Sequence, residues 1–267
     1  MKECTDLLYR IGNCDCLDGM SAMDEDSADI VVTSPPYDNL RDYGGHAWGQ
    51  KKWESVLTAL YRILKPGGVV AWVVQDATIK GSKTGSSFRQ ALFAMHAGFL
   101  LHDVMIWRKD SFTAVGSLKS RYAPVFEYIF IFSKGPPRVF NPIKDRVNKH
   151  AGVFQHGTLR QKNSSTVRAS GHNKKLIQDF GQRHNVWDIS TVKSKKASMG
   201  HPATFPEGLV RDLIVSWTNE GAIVLDPFMG FGTTGAAALS CGRVFVGFEI
   251  FGDYFAVAEK RLAMVSV

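Results

Sequence analysis

Asp226, Glu249 and the glycines at 230, 232 and 235 are the residues of this 267-residue chain whose types and spacing point most directly to chemistry. They lie in AIVLDPFMGFGTTG, from Ala222 to Gly235, and in VFVGFE, which ends at Glu249. An apolar run, an aspartate, a glycine-rich turn and a small-residue stretch read as a buried parallel strand, a tight turn and a helix. Gly230, Gly232 and Gly235 satisfy the G-x-G-x-x-G dinucleotide spacing, in which the backbone approaches a ligand at the helix N-terminus. Glu249 follows at about the distance where an acid holds a ribose hydroxyl. The same glycines would also serve a tight turn that binds nothing.

A dinucleotide is one reading, and Asp226 weighs against it. A carboxylate at the strand tip repels a pyrophosphate, whereas it suits a ligand bearing cations and hydroxyls. S-adenosylmethionine is such a ligand, with a sulfonium, an ammonium, a ribose and no phosphate. The second informative stretch is DEDSADIVVTSPPY, from Asp24 to Tyr37. Ile30 to Val32 read as a short buried strand, which must stop at Ser34 because Pro35 and Pro36 have no amide hydrogens and restrict the residue before each. Ser34, two rigid prolines and Tyr37 are then displayed at a strand's carboxyl end, the edge where open α/β sheets bind ligands. A bare proline turn with a surface tyrosine is the bland alternative.

Around these stretches the chain reads as regular elements. Trp53 to Leu64 carries apolar residues at helical spacing and ends at Pro66-Gly67-Gly68; Val69 to Val74 is a strand; Ser86 to Ala97 is an amphipathic helix closed by Gly98. Phe99 to Trp107 and Phe126 to Phe132 are further strands, so the order fits a mainly parallel sheet with an antiparallel edge. The segment DNLRDYGGHAWGQ reads as a loop over the site. After His201, a helix with Pro206 in its first turn leads into the Asp226 strand, and Asp253 caps a last helix ending at Leu262.

The charge is uneven. From Arg138 to Ala197 there are 13 Lys and Arg against three Asp and no Glu, a balance of +10; the rest of the chain holds 19 basic and 22 acidic residues, or −3. All the positive excess sits in one stretch, as a polyanion contact requires, although a charge run is often only a solvated face. Cys4, Cys14, Cys16 and Cys241 make no C-x-x-C pair and none follows a proline, so reduced structural thiols and no metal site are expected. The absence of a long apolar run or a leader makes the cytoplasm the default location, with no membrane partner.

These motifs and their order resemble the β-class DNA amino-methyltransferases. Thr33 to Tyr37 is similar to the family's catalytic TSPPY segment, Asp226 to Thr234 to its cofactor loop, and His201-Pro202-Ala203 with Phe205-Pro206 to the segment before that loop. Leu64 to Gly68 and Phe126 to Gly135 also match family segments. The resemblance implies an α/β fold: a circularly permuted Rossmann-like domain with a mainly parallel seven-stranded sheet and helices on both faces. Residues 1–137 would form the catalytic half, 138–197 an inserted basic target-recognition region and 198–267 the cofactor half. It further implies S-adenosylmethionine held by Asp226, Phe228, Gly230, Gly232 and Thr233, with Glu249 at the ribose and Asp15 near the adenine amine. Here Cys14 precedes Asp15, where the family usually has glycine.

The implied reaction is methylation of an exocyclic amino group of a base flipped out of double-stranded DNA, which costs a few kcal/mol of unstacking. Ser34 and the Pro35 carbonyl would orient the amine, Pro36 would stiffen the segment and Tyr37 would stack on the base. Serine before Pro-Pro-Tyr leans to N4 of cytosine, with N6 of adenine as the alternative and a catalytically silent DNA-binding protein as a more distant one. A homodimer and a companion restriction nuclease are compatible with the family.

Overall fold

The computed structural model describes residues 8–36, 48–111, 120–155, 158–160, 167–169, 175–191 and 206–265. In chain order the first elements are β1 (Tyr9–Asn13), α1 (Cys16–Ser21), β2 (Ala28–Thr33), α2 (Gln50–Ile63), β3 (Leu64–Val74), β4 (Thr78–Ile79), β5 (Ser82–Lys83), α3 (Ser86–His96), β6 (Leu100–Arg108) and β7 (Phe126–Ser133). There follow β8 (Lys144–Val147), β9 (Thr158–Arg160), β10 (Val167–Ala169), β11 (Phe180–Gln182), β12 (Val186–Asp188), α4 (Glu207–Trp217), β13 (Ile223–Asp226), α5 (Thr233–Ser240), β14 (Val244–Glu249) and α6 (Gly252–Val265). No described helix is long and apolar enough to cross a membrane.

The chain divides into two compact units, one of Met1–Asn141 with Asn185–Val267 and one of Pro142–His184. The larger unit is built on a sheet ordered β1-β14-β13-β2-β3-β7-β6-β12. Every pairing is parallel except those of β7, which runs antiparallel to both β3 and β6. The mainly parallel α/β sheet expected from the sequence is present, with two differences. The antiparallel strand lies inside the sheet and not at its edge, and the edge is taken by an eighth strand, β12. That strand has three residues in a polar stretch, so no periodicity marks it. It is held by Trp187, only 6% exposed, and by the Trp107 indole, which donates to the Ile189 carbonyl at 2.8 Å.

Pro66-Gly67-Gly68 also behaves differently from a simple helix stop. Ala28 pairs with Leu64 and Ile30 with Val69, so Lys65 to Gly68 bulge within β3 rather than separating it from α2. Gly67 has φ +79°, and a Cβ there would lie 2.3 Å from the Arg138 side chain. Its amide donates to the Lys134 carbonyl at 2.6 Å, and the Lys134 amide donates to Gly68 at 3.2 Å.

Period-two alternation divides the buried residues between the two faces of the sheet. Val70, Trp72, Val74, Phe130 and Phe132 share a core with Val56, Leu57, Leu60 and Ile63 of α2 and with Ala91 and Ala94 of α3. Ile30, Val32, Ala71, Ile129 and Ile131 alternate with them and are equally buried, as are Leu209, Val210, Leu213 and Ile214 of α4, which packs on β2 and β3. These all-apolar strands are the ordinary consequence of a parallel sheet covered on both faces.

The smaller unit lies inside the 138–197 span expected for the insertion, while residues 185–191 return to the sheet. In it β8 pairs with β11 and β9 with β10, all antiparallel. Arg183 pairs with Asp145, and the Asn148 side-chain amide donates to the Gln178 carbonyl at 2.8 Å.

Candidate active site

Strand order fixes where a ligand belongs. From β13 the chain passes through α5 to β14 on one side, and from β2 through α2 to β3 on the other, so adjacent strands β13 and β2 mark a topological switch point. Ligands bind beyond the carboxyl ends of strands at such a crevice. The residue ending β2 is Thr33 and the residue ending β13 is Asp226.

These two residues join the catalytic and glycine-rich segments. The Thr33 hydroxyl donates to Asp226 Oδ1 at 2.6 Å, the Thr234 hydroxyl to Oδ2 at 2.6 Å and the Phe228 amide to Oδ1 at 3.0 Å. Asp226 is 2% exposed, so burial pushes its carboxyl up; the Thr234, Thr33 and Phe228 donors pull it only part of the way back. Asp226 is therefore enclosed, and its carboxylate positions the loop from below. Ser34 follows directly, half-buried, then buried Pro35 and half-buried Pro36. Tyr37 lies outside the described residues, as do His201 to Phe205.

After Asp226 the backbone turns sharply. Gly232 caps α5 with φ +73°, a left-handed conformation that disfavours side chains, and a Cβ at Gly235 would lie 2.7 Å from the Phe245 and Leu262 side chains. The second glycine thus makes the turn and the third lets α5 approach β14 and α6. Thr233 opens the helix, and its hydroxyl accepts from Arg261 at 3.1 Å, while Arg261 also reaches Glu207 at 2.8 Å.

Glu249 ends β14 with its carboxylate divided between two amides, Gly230 to Oε2 and Phe251 to Oε1, both at 2.9 Å. Burial raises this carboxyl too, the two amides lower it, and the negative charge of Asp226 raises it further. Asn13 stands opposite Glu249 on β1 and donates to its carbonyl at 2.8 Å, which places Asp15 at the same edge of the sheet. Asp15 caps α1 through the Leu17 amide at 2.8 Å and pairs with Lys52 at 2.6 Å. Burial alone would raise its carboxyl, but Lys52 and the Leu17 amide hold it below the ordinary value.

Ser34, Asp226, Phe228, Gly230, Gly232, Thr233, Glu249 and Asp15 thus belong to one edge of the sheet. The sequence alone does not single out Thr33, Thr234, Trp48 or Lys52. Thr33 and Thr234 lie within quoted motifs, but their partnership across the sheet has no local signal. Trp48 meets Phe228 edge to face at 5.2 Å and is 8% exposed, and its indole N–H has no hydrogen-bond partner among the described residues. An isolated tryptophan before a helix gives no warning of this.

Comparisons with known proteins identify the family. A family model for N6/N4 methyltransferases, described as DNA methylase, matches residues 28–260. The orphan methyltransferase M.BamHII of Bacillus amyloliquefaciens is 48% identical over 240 residues, covering 88% of each chain. The type II methyltransferase M.BglII of Bacillus subtilis is 27% identical over 262 residues, covering 96% of this chain and 69% of its own. Among solved structures, the cytosine-N4-specific PvuII DNA methyltransferase has a TM-score of 0.67 at 23% identity, covering 95% of this chain and 88% of that one. TTHA0409 of Thermus thermophilus, solved in complex with S-adenosyl-L-methionine, has a TM-score of 0.63 at 22% identity, covering 97% of this chain and 94% of that one. The chain belongs to the N6/N4 family of DNA methylases.

Proposed function

We propose that the protein uses S-adenosylmethionine to methylate the exocyclic amino group of a base flipped out of duplex DNA, N4 of cytosine ahead of N6 of adenine. The observation that carries the reading is the Thr33–Asp226–Thr234 connection, which ties the Ser34-Pro35-Pro36 segment to the glycine-rich loop at the switch point.

The residues at this edge fit the cofactor. Asp15, Asp226 and Glu249 supply negative charge where a pyrophosphate would be repelled, and the buried Trp48 indole offers a donor without a partner among the described residues. Glu249 would accept from ribose hydroxyls, Asp15 would face the adenine amine, and Phe228 with the backbone of Gly230 to Thr233 would line the methionine end. When bound, the cofactor supplies an electrophilic methyl group on a sulfonium.

The chain's own residues must orient the acceptor. The lone pair of an exocyclic amine is delocalised into the ring, so the amine is a poor nucleophile. The Ser34 hydroxyl oxygen and the Pro35 carbonyl would accept hydrogen bonds from its two N–H groups and turn the lone pair out of the ring plane, and the nitrogen would shed one of these protons to solvent on gaining the methyl. Positioning then carries most of the rate, and no covalent link to the enzyme is needed. Prolines at 35 and 36 keep the segment from joining the sheet, and Tyr37 would supply a stacking face for the extruded base. The Pro142–His184 unit, with nine Lys and Arg against two Asp, would contact DNA outside the flipped base.

The lean to cytosine rests on the serine before Pro-Pro-Tyr in the resemblance, and incubation with labelled S-adenosylmethionine and mixed-sequence duplex DNA tests it directly. After nucleoside digestion, mass spectrometry should find the label in N4-methylcytosine. Label in N6-methyladenine would reverse the base preference; unlabelled DNA, with cofactor binding intact by calorimetry, would overturn the reading.

A further inference from the structure

The charge count assigns the positive excess to residues 138–197, yet a second basic surface lies within the net-negative remainder. Between Ala77 and His102 the chain has no Asp or Glu, and it carries Lys80, Lys83 and Arg89. The β4–β5 hairpin brings Lys80 and Lys83 together, with Thr78 opposite Lys83 and Ile79 opposite Ser82. Arg121 joins them from outside, donating to the Gly81 carbonyl at 2.8 Å, and Arg89 donates to the Thr84 carbonyl at 3.0 Å. Among the described residues none of these four cations is ion-paired.

The turn itself is informative. Lys80 and Gly81 have φ +47° and +78°, so both central residues of this two-residue hairpin are left-handed. Such turns favour asparagine, aspartate or glycine at the first position, and lysine there is strained. The strain places an ammonium at the exposed tip, where a neutral residue would fold more easily.

The hairpin stands beside the candidate active site. Thr33 pairs with Trp72, so Ser34 lies beside Val73 at the carboxyl edge of the sheet. Thr78 follows Val73 by five residues, which limits its distance from Ser34 to roughly 20 Å. That length covers about six phosphates along one DNA strand. Tyr122, next to Arg121 and 99% exposed, adds an aromatic face suited to a nucleobase and favours nucleic acid over other polyanions.

Resting on the methylation reading above, we infer that the β4–β5 hairpin, with Arg89 and Arg121, grips the phosphates of the DNA strand flanking the flipped base. This is a contact separate from the Pro142–His184 unit. Binding of a duplex by wild type, Lys80→Asn and Lys80→Asn/Lys83→Gln proteins over a salt series tests it. Each lost phosphate contact should reduce the slope of log K against log salt by about 1. Between 50 and 200 mM salt, the double variant's affinity deficit should therefore shrink roughly tenfold. Lys80→Asn should melt no lower than wild type, because it relieves the turn, and both variants should bind S-adenosylmethionine as wild type does by calorimetry. A wild-type slope in the double variant would overturn the inference while leaving methylation in place. Parallel losses of cofactor and DNA affinity would assign the hairpin to the fold and also overturn it, and a wild type that binds no duplex would remove the methylation reading together with the inference.

Discussion

Thr33→Val removes one hydroxyl from the connection between the two motifs and changes little else. Thr33 is fully buried, valine has nearly the same shape, and the lost bond is the 2.6 Å donation to a carboxylate. A hydrogen bond to a charged group is worth about 1.5–3 kcal/mol, and a protein of this size moves by roughly 2–4 °C per kcal/mol, so the variant should melt about 3–12 °C lower. The deficit should depend on pH. The Asp226 carboxyl is raised in the folded protein, so its contribution to stability is complete below the unfolded value of about 3.9 and is lost as pH rises through the folded value. Without the Thr33 donor the carboxyl rises further, and the deficit should widen as pH rises from the unfolded value through the folded one. Calorimetric melting of both proteins across that range measures this. Because Ser34 follows Thr33, a small displacement of the segment should also slow single-turnover methyl transfer by roughly 10²-fold. A variant with wild-type melting at the alkaline end and transfer within about threefold of wild type would refute the idea that Asp226 couples the two motifs.

Other perturbations separate the remaining roles. Ser34→Ala should abolish methyl transfer while calorimetry shows cofactor affinity nearly unchanged; near-normal activity would exclude Ser34 as the residue that orients the amine. Trp48→Phe removes a buried donor that has no partner among the described residues, so melting of the cofactor-free protein should not fall, whereas cofactor affinity should weaken about tenfold, in line with an unmade buried hydrogen bond. A lower melting temperature with unchanged affinity would make Trp48 a packing residue only. Cys16 is buried and its thiol is pushed up to about 12, chiefly by burial and then by the negative charge of Asp15. Iodoacetamide near neutral pH should spare it in the folded protein and modify it after unfolding, as peptide mass spectrometry would show.

The features visible in the sequence were those whose causes are local. The Pro35-Pro36 pair offers no amide hydrogens to a neighbouring strand, and the glycine at 232 reports a turn by itself; the end of β2 and the start of α5 follow from such signals. The parallel sheet was legible because strands buried on both faces must be apolar throughout, as Ile30 to Val32 and Val69 to Val74 are. What is not legible in the sequence depends on partners distant along the chain. Thr33 and Asp226 are separated by 193 positions, and Lys52 and Asp15 by 37. The sequence suggested that Asp226 would meet a cationic or hydroxyl-bearing ligand, whereas its oxygens are taken by Thr33, Thr234 and the Phe228 amide. The acid of this motif therefore has an architectural role: its carboxylate holds two loops from different halves of the chain at one strand edge. Burial raises its carboxyl and costs stability at neutral pH, and that cost falls where a fixed geometry between acceptor and donor would set the rate.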